Sequence, residues 1–253
     1  DYGGSTLILG ALFFTFQIYG DFSGYSDIAI GTSRLFGFNL KQNFAFPYFS
    51  RDIAEFWRRW HISLSTWFRD YLYIPLGGSR GGAMMKVRNT FIIFIVSGFW
   101  HGANWTFIVW GALNAIYFLP ILLTNRNRKN IDTVASGRLF PSPNEFLSMG
   151  ATFGLTVIAW VFFRAENMGH AMAYISEIFS SSTFNIPEIR PRNTTLLIIG
   201  FLVIEWYGRG QQFAIQNLGI QWKRPFRYAL YYAIIILIFW FGGKEQEFIY
   251  FQF

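Results

Sequence analysis

Apolar residues come in long runs separated by short polar connections. Residues 6–19 continue as 22–38, and further runs cover 91–123, 146–163, 194–206 and 228–241. Crossing a ~30 Å hydrocarbon layer takes about 20 mostly apolar helical residues, fewer where a helix end is buried in protein. The runs therefore predict membrane-spanning helices. No internal repeat or low-complexity tract divides the chain, so a single membrane domain over residues 1–253 is expected, with the polar stretch 164–192 as its only long loop.

Two segments depart from the simple pattern. As one helix, the run 91–123 would measure about 50 Å, too long for one crossing, while two full crossings need ~40 residues plus a turn. An interruption within the membrane is expected at "SGFWHGANW", residues 97–105, where Gly98 and Gly102 loosen the helix and His101 and Asn104 supply polar groups. Non-helical backbone at that depth is tolerated only when it is buried in protein or lines a watery cavity, so His101 is expected to face a cavity. The second segment, 52–73, carries Asp52, Glu55, Arg58, Arg59, Arg69 and Asp70, too many charges for a lipid-facing span. Its Trp57, Trp60, Leu64, Trp67, Phe68 and Tyr71 still recur at three- and four-residue spacing. That predicts one amphipathic helix at the membrane interface, ending near "PLGGSRGG".

Composition agrees with a membrane protein: 53% of the 253 residues are hydrophobic and 14% charged, against about a quarter charged in soluble domains. The net charge of +7 comes from separated clusters rather than one basic face, which argues against nucleic acid. The connections 79–88, 125–138 and 208–227 hold 3, 4 and 4 Lys or Arg, which places them in the cytoplasm and the C-terminus outside. The chain has no Cys, so a disulfide, a Cys-ligated metal and a thiol nucleophile are all excluded. It starts at Asp1 without a signal-peptide pattern and is expected to be part of something longer.

Candidate chemistry is sparse. Of three His, His170 sits near a loop and reads as a surface residue, whereas His61 ("RRWHISLS") and His101 ("GFWHGANW") lie in Trp-flanked apolar settings. An ionisable group at membrane depth is a functional candidate by default; the competing reading is a neutral His satisfied by a backbone carbonyl. Asp21 and Asp27, in "YGDFSGYSDIAIG", read either as a proton relay or as structural carboxylates, and Gly20 and Gly24 there have the spacing that lets helices approach closely. "GDFSG" lacks the G-x-S-x-G order of a nucleophile elbow, and neither H-E-x-x-H nor a G-K-[ST] phosphate loop occurs, so no metal site is expected.

The blocks "GDFSGYSDIAIG", "FWRRWHISLSTWFRDYLYIPLGG", "SGFWHGANWTFIVWG" and "FIYFQF" resemble, in order, those of the membrane-bound O-acyltransferase family. They are most similar to its bacterial branch of alginate O-acetyltransferase membrane subunits and, more distantly, to teichoic acid D-alanyltransferases. The resemblance implies an all-α integral membrane bundle with interfacial or re-entrant helices around a central cavity, here the C-terminal portion of such a core without its N-terminal helices. It implies His101 as catalytic base and His61 as the second functional position. Asn104, Trp105, Arg58, Arg59 and Asp70 are substrate-binding candidates, although packing suits Asn104 and Trp105 better. No bound cofactor is implied; the donor is acyl-CoA, acetyl-CoA in particular, or an acyl-carrier thioester. The implied partners are membrane lipid, an extracytoplasmic acetyltransferase-type protein and a polysaccharide, and the implied location is the bacterial inner membrane, crossed several times. A proton-coupled transporter using Asp21, Asp27, His61 and His101 is the rival reading.

Overall fold

A computed structural model describes residues 2–242; the closing "FIYFQF" block lies outside the described residues. Among the described residues nine α-helices run in order: α1 (Gly4–Leu35), α2 (Ile53–Arg59), α3 (Ile62–Phe68), α4 (Gly82–His101), α5 (Trp105–Leu123), α6 (Pro143–Arg164), α7 (Met168–Ile178), α8 (Arg192–Gly208) and α9 (Arg224–Phe241). There is no strand among the described residues. The helices α1, α4, α5, α6 and α9 are long and apolar enough to cross a membrane. At 17 residues, α8 falls short of that length.

The run 91–123 is a helical hairpin. α4 begins at Gly82, nine residues before the apolar run, so its 20 residues and the 19 of α5 each reach about 30 Å. The interruption falls at Gly102–Asn104, inside the expected stretch. Gly98 does not loosen α4. It brings α5 in, because a Cβ there would stand 2.3 Å from the Phe107 carbonyl oxygen. Gly111 does the same from the other side, 2.2 Å from the Phe94 carbonyl oxygen. Gly20 and Gly24 of α1, expected to form a packing contact, have nothing within 4 Å of an added Cβ and line an open cavity instead. The expected loop 164–192 contains α7, capped by Asn167, whose side chain accepts from the His170 N–H at 2.9 Å.

Aromatic side chains dominate the core between α1, α2, α5 and α6, where Tyr19, Phe56, Trp60, Trp110, Trp160 and Phe163 pack together. Burying rings of this size supplies much of the apolar area available to the fold. The three basic connections meet at one end of the bundle. Lys86 donates to Asn125 Oδ1 at 3.1 Å, and Arg209 donates to the carbonyls of Val134, Ala135 and Arg138 at 3.0, 3.1 and 2.6 Å. At the other end Asn104 Nδ2 donates to the Glu166 carbonyl at 2.8 Å.

The cation-rich end is organised around a buried carboxylate. Glu55, 1% exposed, takes Arg51 at 3.1 Å and Arg59 at 2.9 Å, and Arg51 also reaches Asp132 at 2.9 Å. Removing one partner of a buried ion pair leaves an uncompensated charge, costing about 3–5 kcal/mol. Glu55→Ala leaves Arg59 without a carboxylate and Arg51 with Asp132 alone at hydrogen-bond distance, so it should lower the thermal midpoint in detergent markedly, while Glu55→Gln, which still accepts one hydrogen bond, loses less. Equal midpoints for the parent and Glu55→Ala would remove this account.

Candidate functional site

His61 owes its position to a break in the expected amphipathic helix. Asp52 caps α2 by accepting from the Glu55 N–H at 2.7 Å, but the helix stops at Arg59. Trp60 is extended, and His61 is left-handed at φ 43°, where a non-Gly residue carries backbone strain. The extended segment 43–45 docks into the break. Ala45 N–H donates to the Arg59 carbonyl at 3.0 Å, Ile62 N–H to the Asn43 carbonyl at 2.9 Å and Ser63 N–H to Asn43 Oδ1 at 3.2 Å. Local periodicity favours one continuous helix; these non-local hydrogen bonds satisfy the backbone groups that the break exposes. α3 then restarts and runs into a single π-turn, Arg69–Tyr73.

The outcome is an imidazole facing a cavity of about 400 Å³. Arg58 and Arg128, at the basic 125–138 connection, stand among its lining residues, together with Arg69, His61, Phe94 and Ser97. Ser97 precedes His101 by four residues on α4, so both side chains occupy one helical face. His101, expected to face a cavity, is not itself among the residues that line this one; Ser97, one turn earlier, is. The His101 ring meets the edges of Trp110 at 5.4 Å and Phe163 at 5.0 Å. Burial lowers the His61 pKa to about 4, and repulsion from a charged His101 adds to the effect. His61 is thus neutral at physiological pH.

Asn114 sets the aromatic frame between them. It is buried within α5, the most apolar helix, accepts from Trp57 Nε1 at 3.2 Å and donates to the Trp110 carbonyl at 2.8 Å. Trp57 lines the cavity and packs on Trp110 at 5.8 Å. Sequence reasoning passed over Asn114, as it passed over the buried Asn89 of α4 and Glu205 of α8. A lone polar residue in an apolar run was the available signal for each.

The other expected residues fall in different places. Arg58 lines the cavity, and its guanidinium donates to the carbonyls of Asn127 and Asn130 at 2.6 and 2.7 Å, which ties the 125–138 connection over the mouth. Arg59 is held by Glu55 and does not line this cavity. Asp70 is at the surface, paired with its neighbour Arg69 at 2.7 Å. Asn104 caps α5, accepting from the Thr106 N–H at 3.1 Å, and Trp105 is 73% exposed, so neither points at the two His. His170 is exposed. Asp27 lines a separate cavity with Glu205, and the rings of Phe22, Phe44 and Trp60 stand between that cavity and His61. No group of three or more potential metal ligands occurs among the described residues.

Residues 2–162 match the family described as MBOAT, membrane-bound O-acyltransferase family. This chain belongs to that family. Both His61 and His101 fall inside the matched region. Among curated relatives, the chain is 42% identical over 222 residues to a probable alginate O-acetylase AlgI from Pseudomonas aeruginosa, covering 86% of this chain and 40% of that protein. It is 43% identical over 162 residues to a peptidoglycan O-acetyltransferase from Helicobacter pylori, covering 64% and 29%. A teichoic acid D-alanyltransferase from Streptococcus thermophilus is 35% identical over 169 residues, covering 61% and 40%. The chain thus spans less than half the length of these three relatives. As a member of this family with five helices of membrane-spanning length and composition among the described residues, it is a multi-pass membrane protein.

Proposed function

We propose that the chain carries the transfer centre of a membrane O-acyltransferase. In this reading it moves an acyl group, acetyl in the first instance, from a cytoplasmic thioester to a hydroxyl on an extracytoplasmic polysaccharide or partner protein. The observation that carries the reading is one cavity lined by Arg58, Arg128, His61 and Ser97, with Ser97 one helical turn before His101 on α4. Guanidinium groups suit the phosphates of an acyl-CoA or of a carrier's prosthetic arm, and the apolar wall beyond them suits a thin acyl-bearing arm. The positive-inside rule puts the cation-rich end in the cytoplasm, and in this reading the membrane is the inner membrane of a bacterium, as suits an extracytoplasmic acceptor.

In the proposed step a neutral His101 accepts the proton of the acceptor hydroxyl as its oxygen attacks the thioester carbonyl. His61, also neutral, donates its ring N–H to the oxygen on which negative charge develops. Collapse of the tetrahedral intermediate breaks the carbon–sulfur bond, and the departing thiolate takes the proton from His101, giving the free thiol and restoring the neutral imidazole. No metal is required. The aromatic wall of Phe22, Phe44 and Trp60 separates Asp27 from His61, which favours this chemistry over a continuous proton path through both Asp and His residues.

Membranes containing the full-length protein, incubated with radiolabelled acetyl-CoA, should transfer label to envelope polysaccharide. Arg128→Ala should raise the KM for the donor about tenfold while changing kcat little, the mark of lost ground-state binding. No label transfer by the parent would remove the proposed activity, and an unchanged KM would remove the donor entrance.

A further inference from the structure

A second cavity, of about 210 Å³, lies between α1 and α8 toward the cation-rich end, and the transfer reaction has no use for it. Glycines form one wall: Gly20 and Gly24 present bare backbone, with nothing within 4 Å of an added Cβ. Aromatic rings of Tyr19, Phe44, Phe46, Phe201 and Phe213 form much of the rest. Two carboxylates stand among them, Asp27 and Glu205, close enough for their charges to oppose one another. Glu205 is 6% exposed; its Oε1 accepts from the Tyr19 hydroxyl, while Oε2 has no hydrogen-bond partner among the described residues. Among those residues no Lys or Arg lines the cavity.

A buried carboxylate oxygen without a partner is costly, and a second carboxylate beside it raises that cost. A small cation placed between them would satisfy both. The chemistry of the wall selects its type, since aromatic faces attract organic ammonium groups, and two carboxylates alone do not make a metal site of three ligands. The volume is below the roughly 300–1,000 Å³ of pockets for drug-sized ligands, so the occupant is a small ammonium. Arg34 extends the pattern at the rim, with its guanidinium 5.5 Å from the centre of the Phe213 ring. A cation beside a cation-binding cavity matches a zwitterion, with ammonium inside and phosphate outside.

We propose that this cavity binds the headgroup of an ethanolamine phospholipid, its ammonium between Asp27 and Glu205 and its phosphate at Arg34. The inference is independent of the transfer reaction. Full-length protein in detergent, given equal amounts of phosphatidylethanolamine and phosphatidylglycerol, should retain about one phosphatidylethanolamine in native mass spectrometry, with at least tenfold preference. Glu205→Gln and Asp27→Asn should each erase that preference. Gly24→Leu, which fills the cavity without replacing either carboxylate, should do the same and guards against misfolding of the Glu205 variant. Free ethanolamine should displace the lipid only at far higher concentration. Equal retention of both lipids, preference unchanged in Asp27→Asn and Gly24→Leu, or displacement by ethanolamine at the lipid's own concentration would each overturn the proposal.

Discussion

His101→Ala in the full-length protein should lower acetyl transfer about 10²–10⁴-fold, the usual contribution of a positioned general base. Expression and monodispersity in detergent should hold. At 25 °C that loss equals roughly 3–5.5 kcal/mol of transition-state stabilisation. The fold tolerates the change because the ring lies at the very end of α4, where truncation removes edge contacts with Trp110 and Phe163 but no helical turn. His61→Ala should cost less, since His61 lines the donor cavity and in the proposed step transfers no proton. Initial rates in native membranes, normalised to folded protein, decide the matter. A His101→Ala enzyme with more than about a tenth of parental activity would end the general-base assignment.

The second large effect is expected from a residue that has no chemistry. Gly111→Val puts a Cβ 2.2 Å from the Phe94 carbonyl oxygen and 2.9 Å from its carbon, both backbone atoms that no rotamer change can move. Overpacking a formed core costs about 1–3 kcal/mol when side chains can yield. Here the α4–α5 hairpin itself must open, and with it the placement of Ser97 and His101. Gly111→Val should therefore collapse the yield of monodisperse protein and abolish activity. Gly150→Val, on α6 where an added Cβ meets nothing within 4 Å, should be close to neutral in the same size-exclusion and thermal-unfolding measurements. Comparable behaviour of the two variants would show that the hairpin does not depend on this close approach.

The membrane-spanning helices were legible because burial in lipid demands length and apolarity, and both are visible residue by residue. The basic connections were legible in the same way: three clusters predicted for one side meet at one end of the bundle, through Lys86–Asn125 and Arg209. The polar break before Trp105 followed from arithmetic on the run 91–123, although the hairpin needed the less apolar turns from Gly82 to reach full length. Even the two His stood out, as ionisable groups in settings where such groups are expensive.

Other features depend on contacts between residues far apart in the chain. Periodicity over 52–73 reads as one helix, and only the docking of Asn43 and Ala45 against Arg59, Ile62 and Ser63 splits it and turns His61 into the cavity. Arg58 and Arg59 are adjacent and chemically identical, yet one lines the cavity and the other is taken up by Glu55, because successive residues on a helix point about 100° apart. Glycine spacing misled for a related reason. The Gly20–Gly24 pair faces open space while Gly98 and Gly111 carry the tight contact, and a glycine permits close approach without specifying what approaches. Sequence alone determined the chain's membrane character, its cation-rich end and its candidate imidazoles, all of which depend on composition and local spacing. Which of those groups share a cavity was decided by tertiary packing, since that depends on the directions in which distant segments present their side chains.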